Sequence, residues 1–149
     1  MKFDIKTLSS DEIPLLEAAM DCFATVFDQH DTYSNHRPSR QYMTDLISGE
    51  SFICLVALSE NNLLGTLAAY ELKKFEQQRS EIYIYDLAVY KEYRRQGIAT
   101  ALIEQLKQLA IQRGAWVIFV QADYIDEPAI NLYSKLGIKE KVLHFDISI

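Results

Sequence analysis

Fifteen consecutive residues hold most of the chemistry that side-chain type and spacing suggest: Asp86-Leu87-Ala88-Val89-Tyr90-Lys91-Glu92-Tyr93-Arg94-Arg95-Gln96-Gly97-Ile98-Ala99-Thr100. An apolar run that reads as a strand leads into a basic turn, and the turn enters a helix through a glycine. A helix start offers backbone N–H groups without an intrahelical acceptor. Its dipole and nearby cations add positive potential, so the segment has the parts of an anion site. Gly97 lets backbone approach a phosphate closely, and the small Ala99 does not shield it. On a lone glycine, a tight turn with a solvated basic patch would be the better reading, because short motifs match by chance. Three features favour the anion site: the strand before it, the helix after it, and a local charge of +2 over Lys91–Arg95 in a chain of net charge −6.

The elements that must position this turn follow from period and punctuation. Lys2 to Thr7 alternates charged and apolar residues, as a short strand does. Ser9-Ser10-Asp11-Glu12 offers N-caps to a helix carrying Ile13, Leu15, Leu16, Ala19, Phe23 and Phe27, with Pro14 tolerated in the first turn. His30 to Pro38 is polar and aperiodic, a loop. Ser39 can cap a second short helix through Leu46 and Ile47, ended by Gly49. Strands are expected at Phe52–Leu58, Leu63–Tyr70 (extending toward Leu72) and Ser80–Val89, with Asn61-Asn62 as the first turn. From Gly97, an amphipathic helix carries Ile98, Leu102, Leu106 and Leu109 and ends near Arg113-Gly114. Ala115–Gln121 reads as a buried strand, Pro128 to Leu136 as a helix stopped by Gly137, and Ile138–Ile149 as a closing strand. The order β-α-α-β-β-β-α-β-α-β describes one α/β (α+β) domain over residues 1–149, with a central, mostly antiparallel mixed sheet and about four helices. The helix between the Ser80–Val89 and Ala115–Gln121 strands makes those two parallel neighbours.

Composition excludes several classes. The chain has 149 residues, 49% hydrophobic and 24% charged, which is globular rather than disordered. At this length folding buries roughly 70% of the unfolded surface, so neither a disulfide nor a metal is needed. Cys22 and Cys54 are too few for a disulfide framework or a cysteine zinc site and lie in apolar runs, as core residues do. His30, His36 and His144 lack metal-ligand spacing. Net acidity disfavours a broad nucleic-acid footprint and permits a cationic substrate. No apolar stretch reaches the ~20 residues of a membrane span, and the N-terminus lacks a signal-type apolar region, so a cytoplasmic protein without membrane partners is the expectation.

Arg94-Arg95-Gln96-Gly97-Ile98-Ala99 resembles the Arg/Gln-x-x-Gly-x-Gly/Ala pyrophosphate turn of the GNAT superfamily of acetyl-CoA-dependent N-acetyltransferases. Asp126-Glu127-Pro128-Ala129-Ile130-Asn131-Leu132-Tyr133-Ser134-Lys135-Leu136-Gly137-Ile138 resembles that superfamily's Asn-x-x-Ala-x-x-Leu-Tyr-x-Lys-x-Gly-Phe segment, with Asp126 for Asn and Ile138 for Phe. A closer resemblance, to the gentamicin-modifying aminoglycoside 3-N-acetyltransferases, runs through Phe75-Glu76-Gln77, Arg79 to Val89, Gln121-Ala122-Asp123-Tyr124 and His144-Phe145-Asp146-Ile147. It is weaker over Tyr33 to Pro38 and weakest over residues 1–30.

The resemblance implies roles. Amides at Arg95, Gln96, Gly97, Ala99 and Thr100, within the Arg94–Thr100 turn that includes Ile98, would bind the pyrophosphate of acetyl-CoA. Leu87 and Val89 would pair main-chain groups with its pantetheine arm, as an added strand does. The N–H of Leu87, or that of Ala88, would polarise the thioester carbonyl. Tyr133 matches the position that protonates the leaving thiolate and lies against the cofactor. On residue type alone it is an ordinary core-edge tyrosine.

Asp86 lies beside that thioester site, in a strand where an unpaired carboxylate is costly to bury. Facing an amine as general base, directly or through water, would account for it. Pairing to an arginine or to backbone N–H groups does so nearly as well. Glu81 lies about 17 Å earlier on an extended strand, which suits substrate binding rather than proton transfer. Tyr85, Asp123, Tyr124, Asp126, Glu127 and Asp146 complete the expected substrate site, its carboxylates steering a polycationic amine. Asp126 also suits the N-cap of the Pro128 helix. The expected function is direct acetyl transfer to an aminoglycoside in a ternary complex, at the 3-amino group by resemblance, conferring resistance. A polyamine, another small amine or a peptide amine is the alternative substrate, and a non-catalytic acyl-CoA sensor the alternative class. Superfamily members often pair, so a homodimer is a further expectation.

Overall fold

Five strands lie side by side in chain order, and only the last pair is parallel. The computed structural model describes residues 1–149. Strand β1 (Asp4–Thr7) pairs antiparallel with β2 (Phe52–Ser59), β2 with β3 (Asn62–Lys73), and β3 with β4 (Ser80–Val89). The helix α3 (Ile98–Arg113) then crosses over and returns the chain as β5 (Ala115–Val120), parallel to β4. Helices α1 (Ile13–Phe27) and α2 (Arg40–Ser48) cover the other face, and α4 (Glu127–Leu136) follows β5. This is the expected α/β domain with its mixed sheet, and no helix is long and apolar enough to cross a membrane.

Two cores flank the sheet. Beneath α3, Ile98, Leu102, Ile103, Leu106 and Ala110 pack on Ile53, Leu55, Leu67, Ile82 and Ile84. The apolar stripe of α3 therefore turns toward Ile103 and Ala110, leaving Leu109 only partly buried at its margin. On the opposite face, Ile13, Leu16 and Ala19 of α1 and Met43 of α2 cover Cys54 and Val56, while Cys22 and Phe23 meet Ala68 and Ala88. Both cysteines are buried, and burial pushes each thiol up to about 12, as inert core residues.

Capping follows the local residues. Ser39 Oγ accepts from the Tyr42 amide at 3.1 Å and starts α2. The β2–β3 turn centres on Glu60-Asn61, both at positive φ (50° and 70°), one residue earlier than the asparagine pair suggests. Two left-handed residues match the twist of a two-residue hairpin, so Asn62 is released to open β3. The expected loop at His30–Pro38 contains one wide helical turn at Asp31–Asn35, and Arg37 ties it to α1 through Asp21 and, at 3.5 Å, Glu17.

The expected closing strand at Ile138–Ile149 does not form. These residues have no regular structure and are exposed. A strand needs an edge to pair with, and within one chain this segment does not return to one.

Candidate active site

Strand β4 carries the site because its pleat changes phase. Ala69 is opposite Ile84 but Ala68 is opposite Asp86, so Tyr85 is an extra residue with no cross-strand partner. In an unbroken strand Asp86 would share a face with Ile82 and Ile84 and enter the core beneath α3. The bulge moves it to the α1 face, with Ala88, and returns Leu87 and Val89 to the α3 core. Tyr85 is 61% exposed, its ring edge-on to Tyr70 at 5.8 Å and to Tyr83 at 5.7 Å. Tyr83 stacks on Phe119 at 4.7 Å, so an aromatic surface runs beside Asp86.

Asp86 pairs with no arginine. Its Oδ2 accepts a hydrogen bond from Tyr33 Oη at 2.9 Å. Burial raises its pKa, and the Tyr33 hydrogen bond opposes part of that rise. Burial and the facing Asp86 carboxylate push the Tyr33 phenol up, so it remains a donor. Tyr33 sits in the turn after α1, wedged against Phe23 and Phe27 with centroids 5.5 and 5.9 Å away. Sequence reasoning missed this residue. Its only signal was the weak resemblance over Tyr33–Pro38, because a tyrosine in an aperiodic polar segment carries no periodic clue.

Tyr133, on α4, packs against the α3 core from its edge. Burial, then the carboxylates of Asp126 and Asp86, push its phenol up to about 12. It is thus protonated at neutral pH and within electrostatic reach of Asp86. Asp126 caps α4, its Oδ1 accepting from the Ala129 amide at 3.2 Å.

The turn expected to bind an anion leads into the start of α3. Arg95 and Gly97 both take positive φ, 61° and 81°, in the turn between the short helical turn Lys91–Tyr93 and α3. At Gly97 a Cβ would meet nothing within 4 Å, so the space in front of its backbone is open. No side chain caps α3, and its first internal bond runs from the Ala101 amide to the Gly97 carbonyl at 2.9 Å. The Ile98, Ala99 and Thr100 amides therefore point outward. Lys91, Arg94, Arg95 and Gln96 are exposed around them. Arg94 Nε donates to the Val89 carbonyl at 3.2 Å, which makes Arg94 a brace for the turn.

The two parallel strands part at this end. Register between β4 and β5 stops at Ile84 and Val120, so Leu87, Ala88 and Val89 pair only with Leu67, Thr66 and Gly65 of β3. Their other edge lies open, apart from the Val89 carbonyl that Arg94 occupies. An open strand edge leading to a helix N-terminus fits the amide-bearing arm and pyrophosphate of a coenzyme A thioester.

Other expected substrate residues divide. Glu81 lies 3.7 Å from Lys74, which also reaches Glu76 at 3.6 Å, so its charge is shared with an ion-pair cluster. Asp123, Tyr124 and Glu127 stand in solvent around the start of α4. Asp146 is not brought to the site; it pairs with His144 at 2.9 Å on the exposed last segment. The reason is the missing closing strand, on which its placement depended.

Residues 14–138 match the acetyltransferase (GNAT) family, whose members use acetyl-CoA. An aminoglycoside acetyltransferase, HMB0005, from an uncultured soil metagenomic sample superposes with TM-score 0.98 at 56% identity, covering 100% of this chain and 99% of that one. A second, meta-AAC0020 from such a sample and solved with sisomicin, gives 0.91 at 30% identity over 99% and 96%. N-acetyltransferase 8B of Rattus norvegicus is 28% identical over 107 residues, 72% of this chain and 46% of that protein. The chain thus spans less than half the length of that relative. With the pyrophosphate-type turn, the parted strands and the matched residues all in place, the chain belongs to the GNAT family of acetyltransferases.

Proposed function

We propose that this acetyltransferase moves the acetyl group of acetyl-CoA to an aminoglycoside, at the 3-amino group as the resemblance implies, and so confers resistance in the cytoplasm. The observation that carries this reading is the Asp86 carboxylate, half-buried, unpaired by any cation and turned by the Tyr85 bulge beside the open edge of β4. The likeness to HMB0005 over the whole chain supports the substrate class.

Acetyl-CoA, when bound, supplies the activated acetyl group. The amides of Gly97, Ile98, Ala99 and Thr100 would hold its pyrophosphate, and the free edge at Leu87–Ala88 its amide-bearing arm. Asp86 attracts an ammonium group and takes its proton, directly or through water, which frees the amine lone pair for attack. Its raised pKa brings it nearer the operating pH than a solvated carboxylate, as suits a base. Tyr133 holds its proton at neutral pH and gives it to the departing sulfur. The exposed carboxylates of Asp123, Asp126 and Glu127 draw a polycation toward the cleft, and the Tyr83–Tyr85 rings offer apolar faces to its sugar rings.

Thiol release from acetyl-CoA in the presence of gentamicin, spermidine or a lysine peptide tests this, with NMR of the product locating the new amide. Release with gentamicin and an acetyl group on the 3-nitrogen is the expected result. Release with spermidine or peptide alone would reassign the substrate. No release despite tight coenzyme A binding would make the chain an acyl-CoA sensor.

A further inference from the structure

The bulge at Tyr85 also sets how far Asp86 stands from the other carboxylate of β4. Asp86 is opposite Ala68 and Glu81 is opposite Leu72, four residues along a regular stretch of β3. At the rise of a strand that is about 13 Å, one residue shorter than an unbroken β4 would give. The two carboxylates also share a face. Ala68, Tyr70 and Leu72 alternate onto the α1 side of β3, where Ala68 joins the Cys22–Phe23 core and Tyr70 packs on Phe52 at 5.4 Å. Their partners on β4 are Asp86, Tyr83 and Glu81. Tyr83 thus lies midway, with the exposed Tyr85 ring edge-on beside it at 5.7 Å. A carboxylate, an aromatic floor and a second carboxylate suit an elongated acceptor with an amine at each end.

Glu81 already has a cation beside it. Lys74, from the hairpin between β3 and β4, holds its ammonium 3.7 Å from Glu81 and 3.6 Å from Glu76. Both separations lie beyond hydrogen-bond distance, so charge alone keeps it there. The neighbouring cations are committed elsewhere: Lys73 donates to Glu50 at 2.7 Å, and Arg79 lies over the Trp116 ring at 4.3 Å. Lys74 is therefore a single tethered ammonium at the far end of the row. Its flexible four-carbon stem can carry it away without unfolding anything.

We propose that Lys74 is a built-in competitor of the acceptor: its ammonium holds the place at Glu81 that the distal amine of a bound substrate takes, when that amine lies about 13 Å from the one at Asp86. The part played in turnover rests on the acetyltransferase reading above; the displacement itself is a binding event. With no acceptor present, Lys74 keeps the part-buried Glu81 carboxylate from being left without a counter-ion. A cation that spans the row moves Lys74 toward Glu76, whereas an amine too short to reach leaves it in place. After transfer, the amine at Asp86 has become a neutral amide and only the distal grip remains. Lys74 then competes for Glu81 and favours product release. Reach, and not charge alone, thereby separates acceptors.

Calorimetry without acetyl-CoA compares diaminodecane, whose two nitrogens can span the row, with diaminobutane, whose nitrogens cannot. Lys74→Met should tighten diaminodecane by about 2- to 5-fold, the usual worth of one partly exposed ion pair, and leave diaminobutane unchanged. Lys74→Arg should restore the wild-type affinity. Glu81→Gln should weaken diaminodecane alone, and Lys74→Met added to it should bring no gain, because the contested carboxylate is absent. Asp86→Asn should weaken both diamines. Equal shifts for the two diamines in Lys74→Met, no binding of diaminodecane, or a gain that survives Glu81→Gln would each overturn the proposal. So would an Asp86→Asn protein that binds both as wild type does, since the diamines would then lie off the row. Should Lys74→Met fail to fold, NMR on the wild type decides: the Lys74 Cε resonance must shift with diaminodecane and stay in place with diaminobutane. If no amine is acetylated when acetyl-CoA is added, the acetyltransferase reading fails, while these affinities still decide the displacement.

Discussion

Tyr33 Oη donates to Asp86 Oδ2 at 2.9 Å, joining two residues 53 positions apart. A residue from a polar turn thus governs the only half-buried carboxylate at the open edge of β4. That bond lowers the Asp86 pKa while burial raises it more. A carboxylate in this balance can be shifted by one substitution at its partner.

Tyr33→Phe removes the lowering contribution and leaves the burial. The Asp86 pKa should rise further, moving the acidic limb of the kcat/KM profile to higher pH, because the proposed base takes a proton only when ionised. Rates measured across that limb check this. A limb that stays in place would mean that another group supplies the base.

Asp86→Asn should cut turnover by about 10²–10⁴-fold, the usual range for loss of a positioned base, with acetyl-CoA affinity unchanged by calorimetry. The same variant should be more stable than wild type at neutral pH. A carboxyl with a raised folded-state pKa contributes stability while protonated, and that stability is lost as pH rises through the window between its unfolded and folded values. Above that window the wild type carries an ionised, desolvated group that asparagine lacks. Thermal melts of both proteins at neutral and acidic pH should therefore converge as pH falls.

Tyr133→Phe should slow acetyl transfer when chemistry limits turnover, by about 10-fold or more. Asp126→Asn should lower the Tyr133 pKa from about 12, since a carboxylate that raises it is removed. Phenolate absorbance during alkaline titration reads that shift, with Tyr133→Phe identifying the signal. A normal rate for Tyr133→Phe would make water the proton donor.

Gly97→Ala places a Cβ in the open space before the helix start and forces an L-residue to φ +81°. The backbone cost is about 1–2 kcal/mol, seen as a lower melting temperature. Acetyl-CoA affinity should fall by more than stability explains, because the methyl would stand where the proposed site takes the phosphates. Unchanged affinity would move the anion site away from this turn.

Leu106→Ala, beneath α3 and fully buried, should destabilise the domain by about 2–5 kcal/mol in urea unfolding. Acetyl-CoA affinity of the folded fraction should hold, because Leu106 packs below the turn rather than in it.

Much of this fold is legible in the sequence because it rests on period and punctuation. Ser80–Val89 forms the expected strand, Gly97 and Gly114 bracket α3, and Ser39 and Asp126 cap their helices. The turn from Lys91 into α3 is legible for the same reason, being a local strand–turn–helix. What escapes is set by tertiary packing. Nothing about Tyr85 marks it as an extra residue, since a tyrosine among isoleucines and tyrosines suits a regular strand equally well. Tyr33 earns its role only when α1 brings it over β4. The Leu143–Ile149 alternation suggests a strand that does not form, because period alone cannot supply the edge a strand must pair with.

The extra residue at Tyr85 also makes β4 modular. The half from Ser80 to Ile84 is paired on both edges, with β3 and β5, whereas the half from Asp86 to Val89 is paired with β3 alone. Slack between the halves lets the second retune its aim without repacking the first. The exposed Tyr85 ring and its neighbours Tyr70 and Tyr83 can therefore change without repacking the buried core, and a library at those three positions is where new amine specificities should be sought.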